Sequence, residues 1–223
     1  LIEAQIAARV DYAVYSAPAY AAASIRCGCL RPVAAPVAAN GAVGLRSVLI
    51  VRRGREGGPE RIAAGPADSL ATSLAPLAAS PDARRAAAEG RLVSAGSAAA
   101  AEAMFLDGEV DGFFGWVAAW ADDEADAPSG GSLARLRAAG LGRAEYGIGW
   151  RSGVLRHGPH AVRADMPDAQ VASLVRMLER AAAESPDLAA LLAPHHGGGF
   201  AAVSQDDYAA VIEAVKALGG GED

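Results

Sequence analysis

The sequence predicts an α/β fold with mostly parallel sheets. Strand-like runs alternate with helical patterns along almost the whole of the 223 residues, the pattern of helices laid on parallel strands. Hydrophobic residues make up 52% of the chain but aromatics only 5%, so the core is expected to be built from small side chains on many helices. The length suits one large domain or two small lobes. In such folds ligands collect at the carboxyl ends of strands, against helix amino termini.

The elements follow in order. "LIEAQIAAR" is an amphipathic helix, and "VDYAVYSA" (10–17) is a strand with a turn at its end. "PAYAAASIRCG" (18–28) is a helix stopped at Gly28. "RPVAAPV" (31–37) is a proline-punctuated strand, "NGAVG" (40–44) has hairpin-turn chemistry, and "LRSVLIVRR" (45–53) is the clearest strand, β-branched at its centre. A turn cluster, "GREGGPE" (54–60), marks a lobe boundary. Beyond it come the strand "RIAAG", a helix over 69–79, a Ser-Pro-Asp-capped helix over 80–90, the strand "RLVSAG", the helix "SAAAAEAMFLDGE" and the strand "VDGFFGWV" (110–117). "DDEADAPSGGS" (122–132) is an acidic surface loop, followed by the helix "SLARLRAAGLG" and the strand "AEYGIGWRS". The strand "HGPHAVRADMP" (157–167) leads into an amphipathic helix over 168–185, a short helix with a glycine-rich loop, and a last helix over 204–219 capped by Ser204.

Composition and motifs exclude several classes. The net charge of −6 without a basic stripe argues against nucleic-acid binding. No apolar run reaches the roughly 18 residues of a membrane span. No GxSxG, P-loop, post-strand GxGxxG or HExxH motif is present, and no local nucleophile–base set can be assembled. The histidines fall in two pairs, His157/His160 and His195/His196; Pro159 breaks the helix that a zinc-binding HxxH would need, and no metal site and no cofactor is expected. Cys27 and Cys29 are expected as small, half-buried free residues at a helix end, since a bridge across one residue is a strained loop. The chain begins at Leu1 directly in an amphipathic helix, with no signal peptide, and is expected to start inside a longer protein.

The stretch "GPADSLATSLAP" holds the most chemistry. Asp68 or Ser69 makes a good N-cap through its side-chain oxygen. It is either a capped helix and nothing more, or one whose first amides, on Ser69, Leu70, Ala71 and Thr72, form an anion site together with the helix dipole. An acidic protein that binds an oxyanion would do it this way. Three further strand ends carry polar or aromatic residues: Tyr15 and Ser16 after the first strand, Ser97 at a helix start, and Trp116 at the expected carboxyl end of "VDGFFGW", where ligand pockets form.

These pieces, "VDYAVYSAPAYA", "PVAAPVAANGAVGLRSVLIVRRG", "ADSLATSLAP", "GEVDGFFGW", "WRSGVLRHGPHAVRADMP" and "GGGFAAVSQDDYAAV", occur in an order that resembles the periplasmic substrate-binding proteins of phosphonate/phosphate/phosphite-type ABC transporters, over nearly the whole chain. The resemblance implies a type II periplasmic-binding-protein fold: two α/β lobes, two crossover strands, and a solute held between the lobes, with an amino-terminal strand–helix unit missing here. Lobe one would be 1–54 plus 158–223, and lobe two 55–157. It implies a non-enzymatic, periplasmic, monomeric solute binder that delivers a small oxyanion or organophosphonate-like solute to a membrane permease. The family's phosphonate-binding loop, of the form Ser-Thr-Ser-Gly, falls on Ser69-Leu70-Ala71-Thr72, with Pro76 in register. Tyr15 is the family's aromatic after the first strand, and Ser97 stands where a histidine is frequent. The acidic positions that take an aminoalkyl group fall near Ala118 and Gly158, neither acidic, so Trp116 and His157 are expected to shape the pocket instead. The alternative on the same fold is a sensor, or a binder of an uncharged or metal-linked solute; an enzyme on a two-lobe frame ranks last.

Overall fold

A computed structural model describes residues 2–54, 58–120 and 130–219. The acidic loop expected over 122–132 lies, up to residue 129, outside the described residues, as do 55–57 of the expected turn cluster. The chain forms two compact units. Unit 1 comprises Leu1–Gly44, Trp120–Asp122 and Arg156–Lys216; unit 2 comprises Leu45–Ala119, Asp123–Leu155 and Ala217–Asp223.

Unit 1 begins with α1 (Ile2–Ile6), β1 (Tyr12–Val14), α2 (Ala17–Cys27) and β2 (Leu30–Ala38). α2 starts where Ser16 Oγ accepts from the Ala19 amide and stops at Gly28, which takes φ 58 in the left-handed region. Unit 2 follows with β3 (Gly44–Arg52), β4 (Ile62–Ala64), a π-helical turn (Leu70–Leu74) continuing as α3 (Ala75–Ala79), α4 (Pro81–Ala88), β5 (Leu92–Ser94), α5 (Ala98–Leu106), β6 (Gly112–Ala119), α6 (Gly131–Ala138) and β7 (Tyr146–Arg151). After β8 (Leu155–Arg156), unit 1 resumes with β9 (His160–Arg163), α7 (Asp168–Glu184), α8 (Pro186–Leu192), β10 (Gly197–Ala202), a 3₁₀ turn (Gln205–Tyr208) and α9 (Ala209–Gly219).

The unit 1 sheet runs β1-β9-β2-β10, and its three pairings are all antiparallel. The expectation of mostly parallel strands therefore fails here: alternation of strands and helices reveals layering, not strand direction. β2 is central despite Pro32 and Pro36, neither of which can donate to a ladder. The register with β9 shifts between Pro32 and Ala34, and that with β10 between Gly197 and Phe200. β10 itself corrects the glycine-rich loop expected at 197–199. Those glycines let one strand lie on another: a Cβ on Gly198 would stand 2.2 Å from the Ala38 carbonyl oxygen. α7 covers the sheet through Val171, Leu174, Leu178 and Ala181, a three-to-four-residue spacing that meets Val33, Ala34, Val162 and Phe200.

The unit 2 sheet runs β5-β4-β6-β3-β7; β4 is parallel to both β5 and β6, and β3 is antiparallel to β7. Its inner strands β3, β4 and β6 are apolar on both faces, as covered strands must be. Val48, Ile50, Phe113 and Val117 pack against Phe105 of α5 and Leu133 and Leu136 of α6, while Leu49 and Phe114 pack with Ala83 and Ala86 of α4 on the other face. Each fully buried Phe contributes about 1.5–3 kcal/mol by burial. Two parallel neighbours around β4 bring three strand ends and two helix starts to one edge of this unit.

Cys27 and Cys29 are joined by a disulfide, which corrects the expectation of free thiols. Gly28 in its left-handed conformation turns the backbone so that the two Cα atoms stand 5.0 Å apart, within bridging range.

Candidate functional site

β4 ends at Ala64, opposite Ser94 of β5, and Ala63 is opposite Phe113 of β6. The turn at Gly65, the start of α5 at Ser97 and the position of Trp116 therefore leave the same edge of unit 2. The candidates Ser69, Leu70, Ala71, Thr72, Ser97 and Trp116 are gathered there.

The Gly65–Thr72 turn is clamped on its own helix. The Gly65 amide donates to the Thr72 carbonyl at 3.2 Å, and Ser73 Oγ donates to the Gly65 carbonyl at 2.9 Å. A Cβ on Gly65 would lie 2.1 Å from Thr72 Oγ1, so only glycine fits. On the other side, Ser47 Oγ donates to the Ala71 carbonyl.

The expected side-chain cap is not made. Ser69 sits at the N-cap position with φ −74 and ψ 117, yet its oxygen makes no cap bond. Instead it accepts the Thr72 hydroxyl hydrogen at 2.7 Å. The Ser69 amide donates to the Pro66 carbonyl at 2.9 Å, so the helix-start amides left without an acceptor among the described residues are those of Leu70, Ala71 and Thr72, one fewer than the sequence suggests. Helix geometry gives these first-turn amides no intrahelical acceptor. The turn thus presents three amides and the Ser69 hydroxyl hydrogen, with the positive end of the helix dipole behind them.

Ser97 is exposed, and its Oγ caps α5 by accepting from the Ala100 amide at 3.0 Å; its hydroxyl hydrogen is left to donate. Trp116 lies inside β6 rather than at its carboxyl end as expected. Its amide donates to Ser132 Oγ at 3.1 Å, and the Arg135 guanidinium lies 5.2 Å from its ring centroid. Arg135 is held by Glu102, a buried carboxylate that raises the arginine's pKa through their hydrogen bonds. Sequence reasoning missed Glu102, Ser132 and Arg135. The available signal was a lone acid in an alanine run, "SAAAAEAMF", on the helix face that carries Ala101 and Phe105.

Tyr15, Ser16 and His157 belong to unit 1. The Tyr15 amide donates to the Pro159 carbonyl at 3.0 Å, and a Cβ on Gly158 would stand 1.9 Å from Tyr15 O. The Tyr15 hydroxyl turns inward and donates to buried Gln5 Oε1 at 2.5 Å; it is not presented as a donor to a ligand. Ser16 Oγ is the α2 cap. His157 packs edge-on to His196, with ring centroids 4.4 Å apart. Burial, and then the neighbouring His196, lowers its pKa to about 4, so it is neutral near pH 7 and brings no charge to an anion. His160 is fully buried on β9, with Nδ1 paired to the Tyr12 hydroxyl. Trp120 Nε1 donates to the Asn40 carbonyl within unit 1. Among the described residues, no group of three His, Cys, Asp or Glu side chains could hold a metal ion, and no helix is long and apolar enough to cross a membrane.

The model of a known protein family, described as ABC transporter, phosphonate, periplasmic substrate-binding protein, matches residues 1–208. The chain belongs to that family. Phosphonate-type substrate-binding proteins are the ligand-carrying components of ABC transporters, a periplasmic family that is not a class of enzymes and that works with a membrane permease. No curated protein matches the chain.

Solved structures resemble this phosphonate-type binding protein in fold. The binding protein component of an ABC phosphonate transporter (PA3383) from Pseudomonas aeruginosa is 19% identical, with TM-score 0.51, covering 93% of this chain and 68% of its own. XAC2383 from Xanthomonas citri, bound to ATP, is 15% identical, with TM-score 0.62, covering 100% and 83%. PhnD1 from Prochlorococcus marinus (MIT 9301), in complex with methylphosphonate, is 11% identical, with TM-score 0.52, covering 98% and 82%. The fold is that of the type II periplasmic binding proteins.

Proposed function

We propose that this protein binds a small oxyanion or organophosphonate-like solute and delivers it, as a monomer, to the permease of an ABC importer. The amides of Leu70, Ala71 and Thr72 and the hydroxyls of Ser69 and Ser97 hold the anionic group, and Trp116 packs on the organic part.

One observation carries this proposal. Ser69 occupies an N-cap position, makes no cap bond, and has its oxygen occupied by Thr72. Its own hydrogen and the amides of Leu70, Ala71 and Thr72 are then left with no acceptor among the described residues. Leaving such donors bare is costly unless water or a ligand fills the place. An anion suits that set because donors to a charged acceptor are worth about 1.5–3 kcal/mol each.

Calorimetric titration with phosphate, phosphite, methylphosphonate, sulfate, ATP and an uncharged small solute tests the proposal, sulfate and ATP extending the panel toward another oxyanion and a larger phosphorylated solute. Binding of at least one anion, lost when Ser69 is replaced, is expected. Binding of an uncharged solute and of no anion would favour the sensor or neutral-solute alternative on the same fold.

A further inference from the structure

Glu102 is the deepest charged group of unit 2, with 5% of its surface exposed. Its carboxylate accepts from Ser132 Oγ at 2.6 Å and from Arg135 Nε and Nη2 at 2.6 and 2.5 Å. Both partners continue to the same residue. Ser132 Oγ accepts the Trp116 amide, and the Arg135 guanidinium covers one face of the Trp116 ring. Main chain and ring of one tryptophan are thus both tied to one buried carboxylate.

The backbone is shaped for this. A Cβ on Gly115 would lie 2.3 Å from Ser132 Oγ, and one on Gly131 would lie 2.2 Å from the Trp116 carbonyl oxygen. Only glycine at both places lets α6 rest directly on β6 at Trp116. The Arg135 side chain is otherwise 44% exposed. A long arginine side chain at such a site keeps most of its rotamer freedom unless it is fixed. A two-pronged bond to a carboxylate fixes both the position and the plane of the guanidinium, which then stacks on the indole.

We propose that Glu102 is a positioning residue for Trp116 and, through Arg135 and Ser132, determines which substituent on the bound oxyanion this protein accepts; this rests on Trp116 meeting the organic part of the solute as proposed above. The indole is held with one face against Arg135, and the alkyl group would meet its other face. Without Glu102 the guanidinium leaves the ring, and the indole is no longer set for that contact. The oxyanion donors at residues 69–72 are separate from this chain of bonds, so binding of the anionic group itself is spared.

Two ligands that differ in a methyl group read this directly: phosphite and methylphosphonate, titrated calorimetrically into the purified protein and into its Glu102→Gln, Arg135→Met and Trp116→Ala variants. A methyl contact is worth about fourfold in affinity. The preference for methylphosphonate over phosphite is expected to fall by about that factor in Glu102→Gln and Arg135→Met, with the phosphite Kd changed by less than about twofold. A purely structural role would weaken both ligands equally and leave their ratio unchanged, which overturns the proposal. Should Glu102→Gln fail to fold, Arg135→Met, altered at a half-exposed side chain, carries the comparison. If Trp116→Ala shifts the ratio and the other two do not, only the positioning role falls. If Trp116→Ala leaves the ratio unchanged, Trp116 does not meet the organic part of the solute, and if neither phosphite nor methylphosphonate binds the unaltered protein, there is no substituent preference for Glu102 to set; either result overturns this inference.

Discussion

The hydroxyl of Thr72 donates to Ser69 Oγ at 2.7 Å, and Thr72 itself is only 1% exposed. The reverse bond would bury the Thr72 hydrogen beside Gly65 with no acceptor, at a cost of about 1–3 kcal/mol. The Ser69 oxygen is therefore occupied, and its hydrogen points away from the helix. A serine in the capping position is left with a hydroxyl hydrogen of its own to donate.

Replacing Ser69 by Ala should lower anion affinity about tenfold, the value of one charge-assisted donor. Thr72→Val keeps the shape and removes only the bond that orients Ser69, so its effect should be smaller and in the same direction. Calorimetry on the two variants checks the order. A larger loss in Thr72→Val than in Ser69→Ala would contradict the assigned direction of the bond.

Leu70→Pro removes a single helix-start amide. Proline is tolerated at the first helical position, and the preceding residue already has the extended geometry proline demands, φ −74 and ψ 117 at Ser69. Thermal stability should change little while anion affinity falls about tenfold or more. Leu70→Ala controls for the lost side chain and should retain binding.

Gly65→Ala should damage fold and site together. The added Cβ would stand 2.1 Å from Thr72 Oγ1 and 2.9 Å from its Cβ. Overpacking of this kind costs about 1–3 kcal/mol, and relief must come from moving the residue that orients Ser69. A lower melting temperature with weaker anion binding is expected. An unchanged melting temperature would mean that the turn is not clamped as described.

Stability should decline on acidification through the histidines of unit 1. Burial lowers His157 from 6.5 to about 4, with His196 adding to the effect, and burial alone lowers His160 to about 4. The unfolded chain takes up these protons first, so the stability present above the unfolded pKa is lost as pH falls from 6.5 toward about 4. The charges around His157 are Arg156, paired to Asp207, and His196. Asp207, held below its ordinary 3.8 by bonds from Ser204 and Arg156 despite its burial, adds its loss at lower pH. Denaturant titrations across this window should show a shallower decline in a His157→Gln, His160→Gln double variant than in the parent. Equal slopes would contradict the burial of neutral imidazoles.

Much of this molecule was legible in its sequence. Alternation of strands and helices, the Gly28 stop, the Ser80 cap, the helix start at Ser97 and the strand at 45–53 all follow from local chemistry, and the structure contains them. What escaped depended on partners distant in the chain. Gly197–Gly199 read as a loop because glycine weakens strands in isolation, while the close approach of Ala38 makes glycine the residue that permits pairing. The Cys27–Cys29 bridge depended on how Gly28 turns the backbone. Ser69 was found as a residue and misread as a cap, because its true partner, Thr72, lies three residues on within a π-helical turn. Glu102 stands out in the sequence only as a lone acid among alanines, and its partners Ser132 and Arg135 emerge only when α6 is laid on β6.

The central claim is that the helix start at Ser69–Thr72 holds an oxyanion, and the most direct measurement is calorimetric titration of the purified protein and its Ser69→Ala variant with phosphate, phosphite, methylphosphonate, sulfate and ATP. Saturable one-to-one binding by the parent, weakened about tenfold in the variant, is the predicted result. Anion binding of equal strength in both proteins, or binding by neither, would contradict it.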